Sequence, residues 1–206
     1  MQQLKIKMRM THNRNKYLEK LVKDKTVLHC GASEGSDTRA MNRQKNNWLH
    51  SRLKAVAKKV VGVDIDPIED IQYCNLSDAM SCSDIMYVAG NKFDYIILGE
   101  VIEHLTNPGI VLGNLKMFEG ELVITTPNVF SIRKFVSALF GQEVVSKTHT
   151  CYYSFKTLNY LLNQYGYKVT RQETYSYLGK FGFIQQIFYK LFPLLTDGII
   201  IHAKRI

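Results

Sequence analysis

The chain has 206 residues, 46% hydrophobic and 22% charged, with four cysteines and a net charge of +9. That composition excludes a disordered or fibrous polymer, and the length accommodates one α/β domain with a sizeable core but is short for two. No apolar run reaches transmembrane length, and the N-terminus, carrying Lys5, Lys7 and Arg9, lacks the apolar centre of a signal peptide. Residues 1–60 hold fifteen Lys and Arg against four Asp and Glu. Such an excess suits an anionic ligand, lipid headgroups or nucleic acid near one surface, and equally a solvated basic face. Cys30, Cys74, Cys82 and Cys151 form no CxxC pair. Reduced thiols and a cytoplasmic location are therefore expected.

In chain order, Tyr17, Leu18, Leu21 and Val22 fall at helical spacing, which predicts a helix over 13–23. Thr26–Cys30 is a short apolar run, and Gly31 and Gly35 bracket a tight loop after it. This reads as a strand entering a glycine turn, the place where open α/β sheets bind ligands. Trp48, Leu49, Leu53, Val56 and Ala57 resume a helical stripe, with Trp48 expected in the core. The run VVGVDIDP over 60–67 fits a second strand buried on both faces, with Asp64 at its tip. A weak strand follows at 71–75, then a stronger one at 93–98 that turns at Gly99 into a helix. Asn107 and Pro108 open another helix, and GELVITTPN over 120–128 forms a fifth strand stopped by Pro127. Helices are predicted over 129–140 and 155–165, and a closing strand pair over 167–175 and 198–204. The rhythm predicts an α/β, Rossmann-like, doubly wound and mostly parallel sheet with a closing antiparallel pair, as one domain over 1–206.

The loop Gly31-Ala32-Ser33-Glu34-Gly35 must be separated from three better-known patterns. Ser33 stands where a dinucleotide fingerprint needs its second glycine, and there is no GK[ST] triphosphate loop, so NAD and ATP are disfavoured. The five residues match the GxSxG nucleophile elbow literally, which would make Ser33 a hydrolase nucleophile. That elbow normally follows several strands, however, and here only one helix precedes it. A nucleoside ligand without a pyrophosphate remains, its ribose hydroxyls held by Asp64.

In this order, TVLHCGASEG, VVGVDIDP, FDYIILGEVIEHL, ELVITTPN and THTCYYSFKTL resemble a class I S-adenosylmethionine-dependent methyltransferase. The likeness covers most of the chain. It is closest to the branch with EVIEHL followed by TPN, which includes ubiquinone-type O-methyltransferases, sugar and polysaccharide methyltransferases, and small-RNA terminal 2′-O-methyltransferases. The resemblance implies that the loop Gly31, Ala32, Ser33 and Gly35 lies against the amino-acid part of the cofactor. It also implies that Asp64 holds the ribose, Ile65 flanks the adenine, Asn75 or Asp78 faces its amino group, and Glu100 packs by the cofactor. His29 replaces the usual Asp of the first motif, and Ala32-Ser33 replaces Cys-Gly. Those departures leave a non-catalytic binding protein as an alternative of another class.

Methyl transfer needs an acceptor placed behind the methyl group, and a hydroxyl acceptor needs help losing its proton. Glu100, Glu103 and His104 stand at i, i+3 and i+4, so one helical face is expected to carry all three. His149 follows the fifth strand. The catalytic set expected is His149, Glu100 and His104, with His149 as general base. The same resemblance implies a metal site of Glu100, Glu103, His104 and His149 for Mg²⁺, Mn²⁺ or Fe²⁺. Expected acceptors are a small molecule or a sugar of surface-polysaccharide biosynthesis, with nucleic acid the less favoured partner. Two aromatic and basic stretches flank the mouth, one opening at Val129 and closing at Gly141, the other running from Lys180 to Leu195. They are read as core or a dimer face, or else as a contact with the inner membrane face.

Overall fold

A computed structural model of the protein describes residues 9–11, 13–35, 42, 47–177 and 182–206. Lys5, Lys7, Ser36 and Lys180 lie outside the described residues. Eight strands, β1 (Arg9–Thr11), β2 (Thr26–Cys30), β3 (Lys59–Asp64), β4 (Gln72–Tyr73), β5 (Lys92–Gly99), β6 (Glu119–Pro127), β7 (Tyr167–Tyr175) and β8 (Gly198–Arg205), form one sheet in the order β1-β7-β8-β6-β5-β2-β3-β4. Only β8 is antiparallel to its neighbours, β6 and β7. The remaining pairs are parallel, so the carboxyl ends of β2, β3, β5 and β6 share one edge.

The strands read as unbroken apolar runs because both faces are covered. Leu28, Cys30, Ile96, Leu98, Leu122 and Ile124 point into one core. The alternate residues Val27, Ile97, Val123 and Ile200 enter a second. The first core is closed by α3 (Ala79–Ala89), α4 (Pro108–Asn114) and α6 (Phe155–Gln164) through Ile85, Leu112 and Leu158. The second is closed by α1 (Arg14–Val22) and α2 (Leu49–Lys54) through Leu18, Val22, Leu49 and Leu53.

Helix starts follow capping chemistry. Asn13, Asp78 and Asn107 accept backbone amides at α1, α3 and α4, and Ser154 with Thr157 makes a reciprocal box at α6. The sequence pattern misses α3, whose buried residues are Ser81, Cys82 and Ile85 while Met80, Tyr87 and Val88 are exposed. It also misses the three-residue β1.

One expectation is corrected. The chain after Gly99 makes a single 3₁₀ turn, Ile102–His104, in place of an α-helix, and Glu100 sits before it in the left-handed region at φ 59°. Glu100, Glu103 and His104 therefore do not share a helical face. Further on, α5 (Ile132–Leu139) buries no residue, and Phe135, Leu139 and Phe140 are exposed. The core reading of that stretch fails, because the helix lies on the outside of the carboxyl edge. No helix among the described residues is long and apolar enough to cross a membrane.

Beneath the sheet, His29 and His50 stack with ring centroids 5.4 Å apart. Gly62 leaves them room, since a Cβ there would lie 2.4 Å from His50 Cε1. His50 is wholly buried and held by the stack, so it has little room to yield. Gly62→Ala is expected to cost about 2 kcal/mol by overpacking. That lowers the thermal midpoint by about 4–8 °C. An unchanged midpoint would mean that the histidine layer relaxes freely.

Candidate cofactor and acceptor site

A cavity of about 480 Å³ opens at the carboxyl ends of β2, β3 and β5, bordered by Gly31, Gly35, Asp64, Ile65, Asn75 and Glu100. Six of the expected cofactor residues thus meet around one space. Gly31 makes the turn out of β2 at φ 70°, and a Cβ there would lie 2.3 Å from Val101 Cγ2, so glycine is required twice over. Its amide and that of Ala32 donate to the Val63 carbonyl, binding the loop to β3. Among the described residues a Cβ at Gly35 would meet nothing within 4 Å, which leaves space where a ligand could approach the backbone.

Asp64 ends β3 and accepts the Ser33 amide at 2.9 Å on one oxygen and the Asp66 amide at 3.1 Å on the other. A carboxylate offers about four lone-pair sites, so acceptor capacity remains for a diol. Ile65 is two-thirds exposed against the cavity, an apolar surface that would otherwise meet water. The cavity accordingly offers a glycine loop, a carboxylate and an apolar wall in the arrangement a nucleoside needs.

The other expectations divide. Ala32 and Ser33 are wholly buried behind the loop, and the Ala32 carbonyl accepts Trp48 Nε1–H at 3.0 Å. They shape the turn without lining the cavity, and a buried Ser33 cannot act as a nucleophile elbow. Asn75 Oδ1 accepts the Ser77 amide, and Asp78 caps α3 through the Met80 amide, so Asp78 is no substitute for Asn75. His29 lies under the sheet, outside the cavity wall. Burial first, then His50 and Arg14, push its imidazole down to about 3, which keeps it neutral.

Residues absent from the sequence reading converge on Glu100. Arg14 Nη1 lies 2.9 Å from Glu100 Oε2, while the hydroxyls of Tyr175 and Tyr177 donate to Oε1 at 2.6 and 3.1 Å. Burial alone would raise the Glu100 carboxyl. Arg14 and the two hydroxyls outweigh it, and the group is held below the usual range. Glu34, also on the cavity wall, is raised by burial although Asn42 donates to it at 2.8 Å. The one legible trace of this set was the spacing of Tyr175 and Tyr177, which share a side at the end of a strand.

Glu100 stands apart from the expected metal set, which is corrected to three residues. Ligating atoms of Glu103, His104 and His149 lie within 4.8 Å of one another. His104 and His149 meet edge to face, centroids 4.5 Å apart, and His104 Nδ1 lies 2.9 Å from Thr148 Oγ1. Glu103 is buried, its Oε2 accepting Thr126 Oγ1–H at 2.9 Å and its Oε1 lacking a partner. Burial raises its carboxyl to about 7. Burial, then the nearby His104 and Lys134, lower His149, which leaves it neutral at pH 7.

Fold and cavity together define a Rossmann-like, S-adenosylmethionine-dependent methyltransferase architecture. Residues 3–172 match the methyltransferase domain family, and the chain belongs to it. No curated protein sequence matches. Among solved structures, a SAM-dependent methyltransferase from Archaeoglobus fulgidus is similar at 14% identity and TM-score 0.56, covering 92% of this chain and 90% of that one. Magnesium protoporphyrin IX methyltransferase from Synechocystis, with bound SAH, aligns at 12% identity and TM-score 0.56 over 93% and 82% of the two chains. The small RNA methyltransferase HEN1 aligns at 16% identity and TM-score 0.59 over 93% of this chain and 25% of its own. S-adenosylmethionine is the cofactor of the class.

A carboxyl raised in the folded state binds a proton there that the unfolded chain has released. Stability from Glu103 is therefore full below about 4.5 and is lost as pH rises toward about 7. In EDTA, the advantage of Glu103→Gln over wild type in unfolding free energy should grow by about 3 kcal/mol across that window and level off above it. A difference that does not change with pH would contradict the raised carboxyl.

Proposed function

We propose that the protein methylates an oxygen of a small molecule, with His149 as the base and the 480 Å³ cavity as the cofactor site. The observation that carries this reading is the Asp64 carboxylate beside the glycine loop, with acceptor capacity to spare for two vicinal hydroxyls. Asp64 takes the ribose and Ile65 underlies the adenine. Asn75, its Oδ1 occupied by Ser77, offers Nδ2 to a ring nitrogen. Glu34 and Glu100 suit an α-ammonium, and Arg14 a carboxylate, at the amino-acid end.

When bound, the cofactor supplies a methyl group on a sulfonium, which departs as a neutral thioether as the acceptor oxygen forms its new bond to carbon. His149, neutral at pH 7, takes the acceptor's hydroxyl proton and becomes imidazolium. The Glu100 carboxylate favours that charge. Of the two acceptor classes expected from sequence, the small molecule suits the neighbouring apolar walls better than a sugar, whose hydroxyls would find few partners there.

Two substitutions separate binding from chemistry. Asp64→Ala should weaken S-adenosylhomocysteine, titrated by calorimetry, about 100-fold, as expected for two lost hydrogen bonds to a charged group. His149→Ala should keep that affinity within about threefold and abolish labelled-methyl transfer into small molecules of a cell extract. Wild-type affinity in the first variant would reject the ribose role, and retained transfer in the second would remove His149 from the mechanism.

A second reading is favoured by the three-residue cluster itself. Glu103, His104 and His149 suit Mg²⁺, Mn²⁺ or Fe²⁺, which would acidify an acceptor diol such as a terminal ribose of RNA. Electron paramagnetic resonance with Mn²⁺ tests it. One ion bound at micromolar concentration and displaced by His149→Ala supports the metal route, and no binding at millimolar concentration leaves the imidazole base alone.

A further inference from the structure

A second cavity, about 940 Å³, lies beyond β6 under α5. Its walls include Phe130, Phe135 and Leu194, and its polar groups are Lys134, Gln142, Glu143 and Tyr152. Lys134 Nζ is shielded from solvent with no hydrogen-bond partner among the described residues, and rests 4.5 Å from the centroid of the Tyr152 ring. The carboxylates of Glu103 and Glu143 favour its charge from a distance, but a buried ammonium that makes no hydrogen bond costs free energy that a ligand oxygen could recover. The Tyr152 hydroxyl donates to Glu143, and Lys134 meets the face of its ring.

We propose that this chamber is the acceptor site and that the acceptor is a free amphiphile, a hydrocarbon or aromatic body with one anionic oxygen group that pairs with Lys134. The inference rests on the methyltransferase reading above for the word acceptor, and on the chamber alone for the ligand chemistry. Three observations support the assignment. The volume suits a drug-sized molecule, where a single lipid headgroup or metal would leave most of it empty. The walls offer dispersion contacts along their length but little that would satisfy a polyol. The chamber also opens at the same edge of the sheet as the first cavity: its wall begins at Val129, two residues beyond β6, and includes Tyr152, two residues after Thr150, whose amide donates to the Glu103 carbonyl. An anion held at Nζ thus places one end of the acceptor at the carboxyl edge of the sheet, the edge that also carries the proposed base.

The probe is 1-anilinonaphthalene-8-sulfonate, an aromatic body with one anionic group, displaced by octanoate or by 1-octanol at submicellar concentration. Wild-type protein should bind the probe, and octanoate should displace it at least about tenfold more effectively than octanol, as expected for a desolvated charge pair. Lys134→Gln should reduce that preference to below about threefold, and Ala138→Trp, which fills the chamber, should weaken both competitors about tenfold. S-adenosylhomocysteine affinity should be unchanged in both variants, which also certifies their folding. Equal displacement by octanoate and octanol in wild type, or a preference surviving Lys134→Gln, would overturn the proposal. So would retention on phosphatidylglycerol vesicles by a protein that binds neither octanoate nor the probe. Failure of wild-type protein to bind S-adenosylhomocysteine would instead defeat the methyltransferase reading and leave the chamber's anion preference standing.

Discussion

The hydrogen bond from the Ser33 amide to Asp64 ties the tips of β2 and β3, and the site depends on it. It fixes the carboxylate at the mouth and holds the loop after Gly31 in its turn. Gly31 and Ala32 donate to the Val63 carbonyl one residue earlier, so three amides of one loop are spent on one strand end. A loop fastened in this way needs no ligand to define its path. Preorganisation of that kind reduces the ordering a nucleoside would otherwise impose.

Around that tie, the polar groups are arranged in two layers with different purposes. Glu100 is held ionised by Arg14, Tyr175 and Tyr177, which bring α1 and β7 to the same point as β5. Glu103 and His149 have the opposite environment, in which burial favours the neutral forms. A carboxylate kept charged in the same site as an imidazole kept neutral suits a division of labour between binding and proton transfer, the one proposed above. It follows from the 3₁₀ turn, which sends Glu100 outward to the tyrosines and Glu103 inward to Thr126.

How much of this could be read from the chain depends on how local each cause is. Strands β2, β3, β5 and β6 were legible because burial on both faces produces unbroken apolar runs, and α6 because its cap and stripe agree. The glycine turn and Asp64 were legible because the turn must have glycine and the acid must end a strand. The convergence on Glu100 was not, since Arg14 and Tyr175 approach it from 86 and 75 residues away, and the spacing of Tyr175 and Tyr177 names no partner for them. The expected helix after Gly99 failed for a different reason. The apolar spacing of Val101, Ile102 and Leu105 is satisfied by one tight turn, and the positive φ of a glutamate carries no sequence signal. The departures at His29 and Ala32-Ser33 have local partners, His29 stacking on His50 and the Ala32 carbonyl accepting from Trp48.

The central claim is that an adenosine lies across the tips of β2 and β3 with its sugar on Asp64. A crystal structure of the protein soaked with S-adenosylhomocysteine tests it most directly. The account predicts both ribose hydroxyls within hydrogen-bonding distance of the Asp64 carboxylate and the adenine against Ile65. Ligand density elsewhere, or an Asp64 side chain turned away from an occupied cavity, would contradict it.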